Sequence, residues 1–256
     1  MLKNGDRSKS KEKILEDFIF GYHASLAALK SGRVNKIFLQ ENIKSKRIDE
    51  LKSLAKSHVV PVKVVPKTML DRLTQKAVHQ GVVVTTSPYA YLELEELLQQ
   101  TKNPEPFYLV LDSLEDPHNL GSILRTADAV GVDGVLLPKH RSVGVTSTVV
   151  KTSTGAVEHL PIARVTNLMQ AVAKLKQEGF WIFGTDMNGT DYRKWQVQGK
   201  IALIIGNESR GMSQLLRKEV DEVLTIPMVD HVQSLNASVA AGLLMYEVFR
   251  GRTIAK

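Results

Sequence analysis

The sequence predicts an α/β protein in two blocks. The carboxy-terminal block is a mainly parallel sheet with helices on both faces, and a smaller α/β domain precedes it. Three observations lead there. Strand-like apolar runs alternate with segments of helical periodicity along almost the whole chain. The runs Tyr108-Leu-Val-Leu-Asp112 and Ile201-Ala-Leu-Ile-Ile205 are apolar without alternation, as strands covered on both faces are. A proline-bearing stretch, Thr101-Lys-Asn-Pro-Glu-Pro106, separates the two groups of elements.

In chain order, residues 1–16 are nearly devoid of apolar side chains over their first thirteen positions and are expected to form a flexible tail. Residues 17–89 hold the first block. Tyr22 to Lys30 reads as a helix and Lys36 to Gln40 as a strand. Arg47 to Ser57 places Ile48, Leu51, Leu54 and Ala55 on one helical face. Val62 to Val65 is a strand between prolines, Lys67 to Lys76 a short helix, and Gly81 to Thr86 a closing strand. Residues 90–106 read as a linker that includes an acidic amphipathic segment, Leu92 to Gln100. Residues 107–256 form the second block. After the Tyr108 strand, Asn119 to Gly131 is a helix with a Leu120, Ile123, Leu124, Ala127 and Val130 stripe. Strands follow at Gly134–Pro138, Trp181–Gly184, Ala202–Gly206 and Val223–Pro227. Helices fit at Asn167–Gln177, Ser213–Glu219 and Asn236–Arg250.

Composition narrows the function. The chain of 256 residues has no cysteine, so disulfides, zinc–thiolate sites and iron–sulfur clusters are excluded. Its seven histidines form no H-E-x-x-H pair, and no metal site is expected. No apolar run approaches the roughly 18 residues a membrane span needs, and the first residues lack the apolar core of a secretory signal. The expected location is the cytoplasm, away from membranes. The net charge of +7 is unevenly spread. Residues 18–90 carry twelve Lys and Arg against four Asp and Glu; residues 91–256 carry seventeen against nineteen. A basic first block and a slightly acidic second one point to a polyanionic partner held by the first.

Three segments of the second block gather chemistry at the ends of apolar elements: Asn119-Leu-Gly-Ser-Ile-Leu-Arg125, Gly206-Asn-Glu-Ser-Arg-Gly211, and the stretch from Ile226-Pro227 to Ser234-Leu-Asn236. Arg125 lies about 140° from Leu120 at 100° per residue, off the buried stripe of its helix. Asn119 and Ser234 are also good helix-capping residues, so an ordinary cap is the plain alternative for each. The glycines include no pair spaced two apart, which removes the dinucleotide-binding G-x-G-x-x-G pattern. Gly206 to Ser213 mimics a phosphate-binding P-loop, but Met212 stands where the phosphate-binding lysine must be.

These segments, with Asp116-Pro-His-Asn-Leu-Gly121 and Ser234-Leu-Asn-Ala-Ser-Val-Ala240, resemble the three signatures of the SpoU/TrmH family of RNA ribose 2′-O-methyltransferases. The first block, including His79-Gln-Gly81, resembles the substrate-binding domain of many members, itself similar to small RNA-gripping ribosomal proteins. The resemblance covers nearly the whole chain and is nearest to the members that methylate a guanosine of 23S rRNA. It implies a SPOUT fold with a trefoil knot, S-adenosyl-L-methionine as cofactor, RNA as partner and a homodimer. It places cofactor contacts at Thr185, Gly206, Ile226 and Leu235, and the reacting site at Asn119, Arg125, Glu208, Ser234 and Asn236. The family proposal makes the residue matching Arg125 the base. A guanidinium keeps its proton in proteins, so we assign Arg125 an electrostatic role toward phosphate and developing alkoxide. A tRNA-directed member and an inactive RNA-binding relative are the alternatives.

Overall fold

The computed structural model describes residues 17–229, 231 and 234–254; the tail expected at residues 1–16 lies outside them. The first block is a four-stranded sheet of β1 (Asp17–Phe20), β2 (Val34–Gln40), β3 (Val62–Val65) and β4 (Val82–Thr86), in the order β1-β4-β2-β3. Strand β4 runs antiparallel to both β1 and β2, while β2 and β3 are parallel. Helices α1 (Tyr22–Lys30), α2 (Lys46–Ser57) and α3 (Lys67–Leu73) connect the strands. Ile48, Leu51 and Ala55 bury the predicted face of α2, and Leu54 is partly covered. Sequence reading missed β1, a four-residue edge strand beside the charged tail.

The second block is a six-stranded sheet in the order β10-β8-β9-β5-β6-β7, and every pairing is parallel. Its strands are β5 (Phe107–Leu111), β6 (Gly134–Pro138), β7 (Ile162–Val165), β8 (Phe180–Asp191), β9 (Lys200–Ile205) and β10 (Glu222–Thr225). Side chains alternate across it. Phe107, Leu109, Leu111, Leu203 and Ile205 face α5 (Pro117–Val130), α6 (Ser147–Thr152) and α9 (Ala237–Ile254). Tyr108, Val110, Ala202 and Ile204 face α4 (Leu94–Gln100), α7 (Leu168–Gln177) and α8 (Gln214–Arg217). Helices therefore cover both faces, as the unbroken apolar strands require.

The segment 90–106 contributes to this second block. Leu92 pairs with Ala163 of β7, and Leu94 and Leu97 of α4 are buried in the core on the α7 and α8 side of the sheet. A cut at residue 106 would strip those side chains from the core. Strand β7 and helix α6 also escaped sequence reading. Strand β8 runs longer than expected: its register with β10 jumps from Gly184↔Val223 to Thr190↔Leu224, so residues 185–189 leave the ladder.

Candidate active site at the carboxyl ends of β8, β9 and β10

Ligands of open parallel sheets bind beyond the carboxyl ends of the strands, where loops diverge. Here β8, β9 and β10 end around a cavity of about 360 Å³. Its wall includes Thr185 where β8 leaves the ladder with β10, Gly206 and Glu208 after β9, Ile226 after β10, and Ser234 and Leu235 before α9. All four residues expected to contact a cofactor line one cavity. Leu224, Ile226, Leu235 and Leu244 supply apolar surface, and the turn 206–211 supplies polar backbone. That mixture suits an aromatic heterocycle with a polar tail.

The turn after β9 is built by Asn207. Its main chain pairs with Gly211 in both directions, at 3.0 and 2.9 Å. Its side-chain oxygen accepts from the Ser209 and Arg210 amides at 3.0 and 3.1 Å, and its side-chain nitrogen donates to the Ser113 carbonyl at 2.7 Å. Asp112, just beyond β5, accepts from the Ser213 amide at 2.8 Å. Sequence reading overlooked Asn207 and Asp112. An asparagine between glycine and a polar run is a turn former, which was the available signal. Gly206 answers to the same turn: a Cβ there would lie 2.2 Å from the Met212 amide nitrogen and 2.3 Å from the Gly211 carbonyl carbon. The glycine is demanded by the chain's own backbone. Met212, in the P-loop lysine position, is buried in the core on the α7 and α8 side of the sheet.

A hydrogen-bonded bridge joins this turn to two helices. The Asn119 side-chain nitrogen donates to Glu208 Oε1 at 3.1 Å, and Asn236 donates to Asn119 Oδ1 at 2.9 Å. The three signature segments thus meet in one chain, Glu208–Asn119–Asn236. Neither capping alternative holds. Asp116 caps α5 by accepting from the His118 amide at 2.8 Å. Asn236, not Ser234, accepts from the Ser238 amide at 2.9 Å at the start of α9. Asn119 is 8% exposed and spends its amide on the bridge. On the cavity rim Asp186 is paired with Arg217 of α8. Among the described residues, Glu208 is the cavity carboxylate held by a neutral amide rather than a cation.

Arg125 stands apart. It lies on the outer face of α5, is exposed, does not line the cavity, and its side chain makes no hydrogen bond or ion pair among the described residues. The acidic and amide groups are joined to one another, and the arginine is not part of that bridge.

Comparison with known proteins identifies the family. Residues 106–246 match the SpoU rRNA Methylase family, and residues 18–92 match the RNA 2′-O ribose methyltransferase substrate-binding domain. A protein of Staphylococcus aureus (strain COL), described as a TrmH family tRNA/rRNA methyltransferase, is 52% identical over 91% of this chain and 96% of its own. The crystal structure of an AdoMet-bound rRNA methyltransferase from Sinorhizobium meliloti superposes with a TM-score of 0.78 at 25% identity, over 92% of this chain and 87% of that one. A TrmH/SpoU tRNA modifying enzyme of A. aeolicus matches 63% of this chain and 83% of its own, with a TM-score of 0.55 at 27% identity. The chain belongs to the SpoU/TrmH family of RNA methyltransferases.

Proposed function

We propose that the protein methylates the ribose 2′-hydroxyl of a guanosine in 23S rRNA, with S-adenosylmethionine as donor. The observation that carries this reading is the bridge Glu208–Asn119–Asn236. It ties the cavity at the ends of β8–β10 to the helix that presents the exposed Arg125. Thr185, Gly206, Ile226 and Leu235 would hold the cofactor, whose sulfonium supplies an electrophilic methyl group. The apolar wall and the backbone of the 206–211 turn fit its adenosyl part.

The chain's own residues have two tasks. A ribose hydroxyl is a weak nucleophile and must lose its proton near the transition state. We assign that proton to Glu208, whose Oε1 accepts a hydrogen bond from Asn119. Arg125, with a planar fork of donors, grips the adjacent phosphate and stabilises charge on the oxygen. Ser234, on the cavity wall, would orient the hydroxyl.

The choice of rRNA rests on the first block. Similarity to the rRNA enzyme of S. meliloti extends over 92% of the chain, whereas similarity to the tRNA enzyme of A. aeolicus extends over 63%. A tRNA substrate is the second reading, and the dual naming of the S. aureus relative favours keeping it. The homodimer belongs to the same proposal. Val239, Leu243, Tyr246 and Phe249 leave apolar surface exposed along α9, whose Ala237, Ala240 and Leu244 line the cavity. So does the knot, supported by the return of α9 onto α5 after β10.

Mapping 2′-O-methyl groups in total RNA with and without the protein tests the function. Loss of one 23S rRNA guanosine mark is the expected result. Loss of a tRNA mark would select the second reading. Equilibrium dialysis separates an enzyme from an inactive RNA-binding relative, because only the enzyme requires S-adenosylmethionine binding.

A further inference from the structure

Arg33 was counted among the basic residues of the first block, yet the structure uses it internally. Its Nη1 lies 2.5 Å from Glu158 Oε1, and its Nη2 donates to the Ser87 carbonyl at 3.1 Å. The guanidinium also sits 5.3 Å from the Tyr89 ring centre. Glu158 belongs to the other block, at the end of a 3₁₀ turn (Ala156–Glu158) that follows α6. Its side chain is 2% exposed against 15% for Arg33, and its second oxygen accepts from Ser31 Oγ at 2.9 Å. A carboxylate this buried needs its partners, and both come from across the seam.

The rest of the seam is close-packed. Gly155 has φ +90°, and a Cβ there would stand 2.4 Å from Ala27 Cβ on α1. The Tyr89 hydroxyl donates to the Leu160 carbonyl at 2.9 Å. Lys151 of α6 lies over the Phe20 ring of β1, 4.4 Å from its centre. Helix α6 in turn presses on α5: a Cβ on Gly121 would meet Thr152 Cβ at 2.6 Å. Glycine contacts and a buried ion pair tolerate little sliding. The first block is therefore registered, through α6, to the helix that carries Asn119 and Arg125.

We propose that Glu158 is a positioning residue. With Arg33 and Ser31 it clasps the basic block at one fixed offset from α5, and that offset selects RNAs long enough to engage both blocks at once. The proposal rests on the methyltransferase reading above. A clasp of this kind raises the effective concentration of the target nucleotide at the site once the first block has bound; it adds nothing for an RNA too short to reach that block.

The test compares the full-length protein with Glu158→Gln, Ser31→Ala, and the charge swap Arg33→Glu with Glu158→Arg. Two measurements are made. Hydrogen exchange without RNA should show faster exchange in α1 and residues 155–160 of Glu158→Gln, with β5 and β9 still protected. Kinetics should show KM for a 23S rRNA transcript rising about tenfold, with kcat within about twofold, while a short oligonucleotide centred on the methylated position is unaffected. Ser31→Ala should show the same pattern more weakly, and the charge swap should recover much of it. Equal KM changes for long and short RNA would overturn the proposal, as would raised seam exchange with unchanged KM. A wild-type protein that methylates neither RNA would sink the functional reading. The clasp would then be judged by hydrogen exchange, and an unaltered seam in Glu158→Gln would sink it too.

Discussion

The cavity at the ends of β8–β10 and the outer face of α5 are neighbours joined by one asparagine, yet they are finished to different degrees. Around the cavity, Asn207 satisfies its own turn, Asn119 spans Glu208 and Asn236, and Asp186 is paired with Arg217. On the outer face of α5, the Arg125 side chain is exposed and has no hydrogen-bond or ion-pair partner among the described residues. Under the proposed function the contrast separates a cofactor surface from an RNA surface. A site for a small, constant ligand is completed by the chain itself, because each buried polar group costs free energy if left unmet. A site for a polyanion can leave its arginine in water until the phosphate arrives.

Arg125→Ala breaks that division most severely. Turnover should fall about 100-fold, the scale of a lost charge-stabilising donor, while S-adenosylmethionine affinity stays within error. Calorimetry and single-turnover methylation together check it. A parallel loss of cofactor affinity would mean that the two surfaces are one. Arg125→Lys sharpens the point: partial activity would show that charge matters and the planar fork adds to it.

Gly206→Val attacks the other surface. The added Cβ meets the backbone of Gly211 and Met212, so the turn must open. Cofactor affinity should fall by about tenfold or more with far-ultraviolet circular dichroism unchanged, because the required displacement exceeds what a close-packed turn tolerates. Retained affinity would move the cofactor away from this turn.

Asn119→Ala cuts the link between the surfaces. It leaves Glu208 and Asn236 each short of one hydrogen bond, so about 1–2 kcal/mol of stability should be lost in chemical denaturation. Turnover should drop about tenfold, less than for Arg125→Ala, because Glu208 remains present but loosely held. A normal rate in this variant would remove Glu208 from the proton's path.

How much of this was legible beforehand follows the range of the contacts. Helix α1 and strands β3 and β6 appear with the boundaries the sequence implied, since periodicity and flanking prolines or glycines are local signals. Helix α6 did not. Ser147–Thr152 is short and rich in β-branched residues, and it is held by the Thr146 cap and the burial of Val149 and Val150. Strand β7 spans only Ile162 to Val165, too short to show a period. The site residues were named from their segments, but their roles were not all readable. Asn119 looked like a cap because its true partners are 89 and 117 positions away. Arg33 adds to the positive charge of the first block in the sequence because its neutralising partner, Glu158, is 125 positions away.

Arg33 also supplies the smallest and most diagnostic contrast, this time within the first block. Lys44, between β2 and α2, and Lys46, the first residue of α2, are exposed, with no carboxylate bonded to them among the described residues. If such lysines neutralise phosphates, each releases condensed counterions on binding. Removing one should flatten the log–log dependence of RNA affinity on salt by about 0.7–0.9, at the cost of a several-fold loss in affinity near physiological salt. Arg33 has already been neutralised by Glu158 in the folded chain. Lys44→Gln should therefore reduce the salt slope, whereas Arg33→Gln should leave the slope intact even where it weakens binding by loosening the seam. Titrations of both variants against one RNA at four salt concentrations suffice. Equal slopes for Lys44→Gln and wild type would remove that loop from the RNA surface, and a flattened slope for Arg33→Gln would show that its guanidinium leaves Glu158 to meet phosphate when RNA binds.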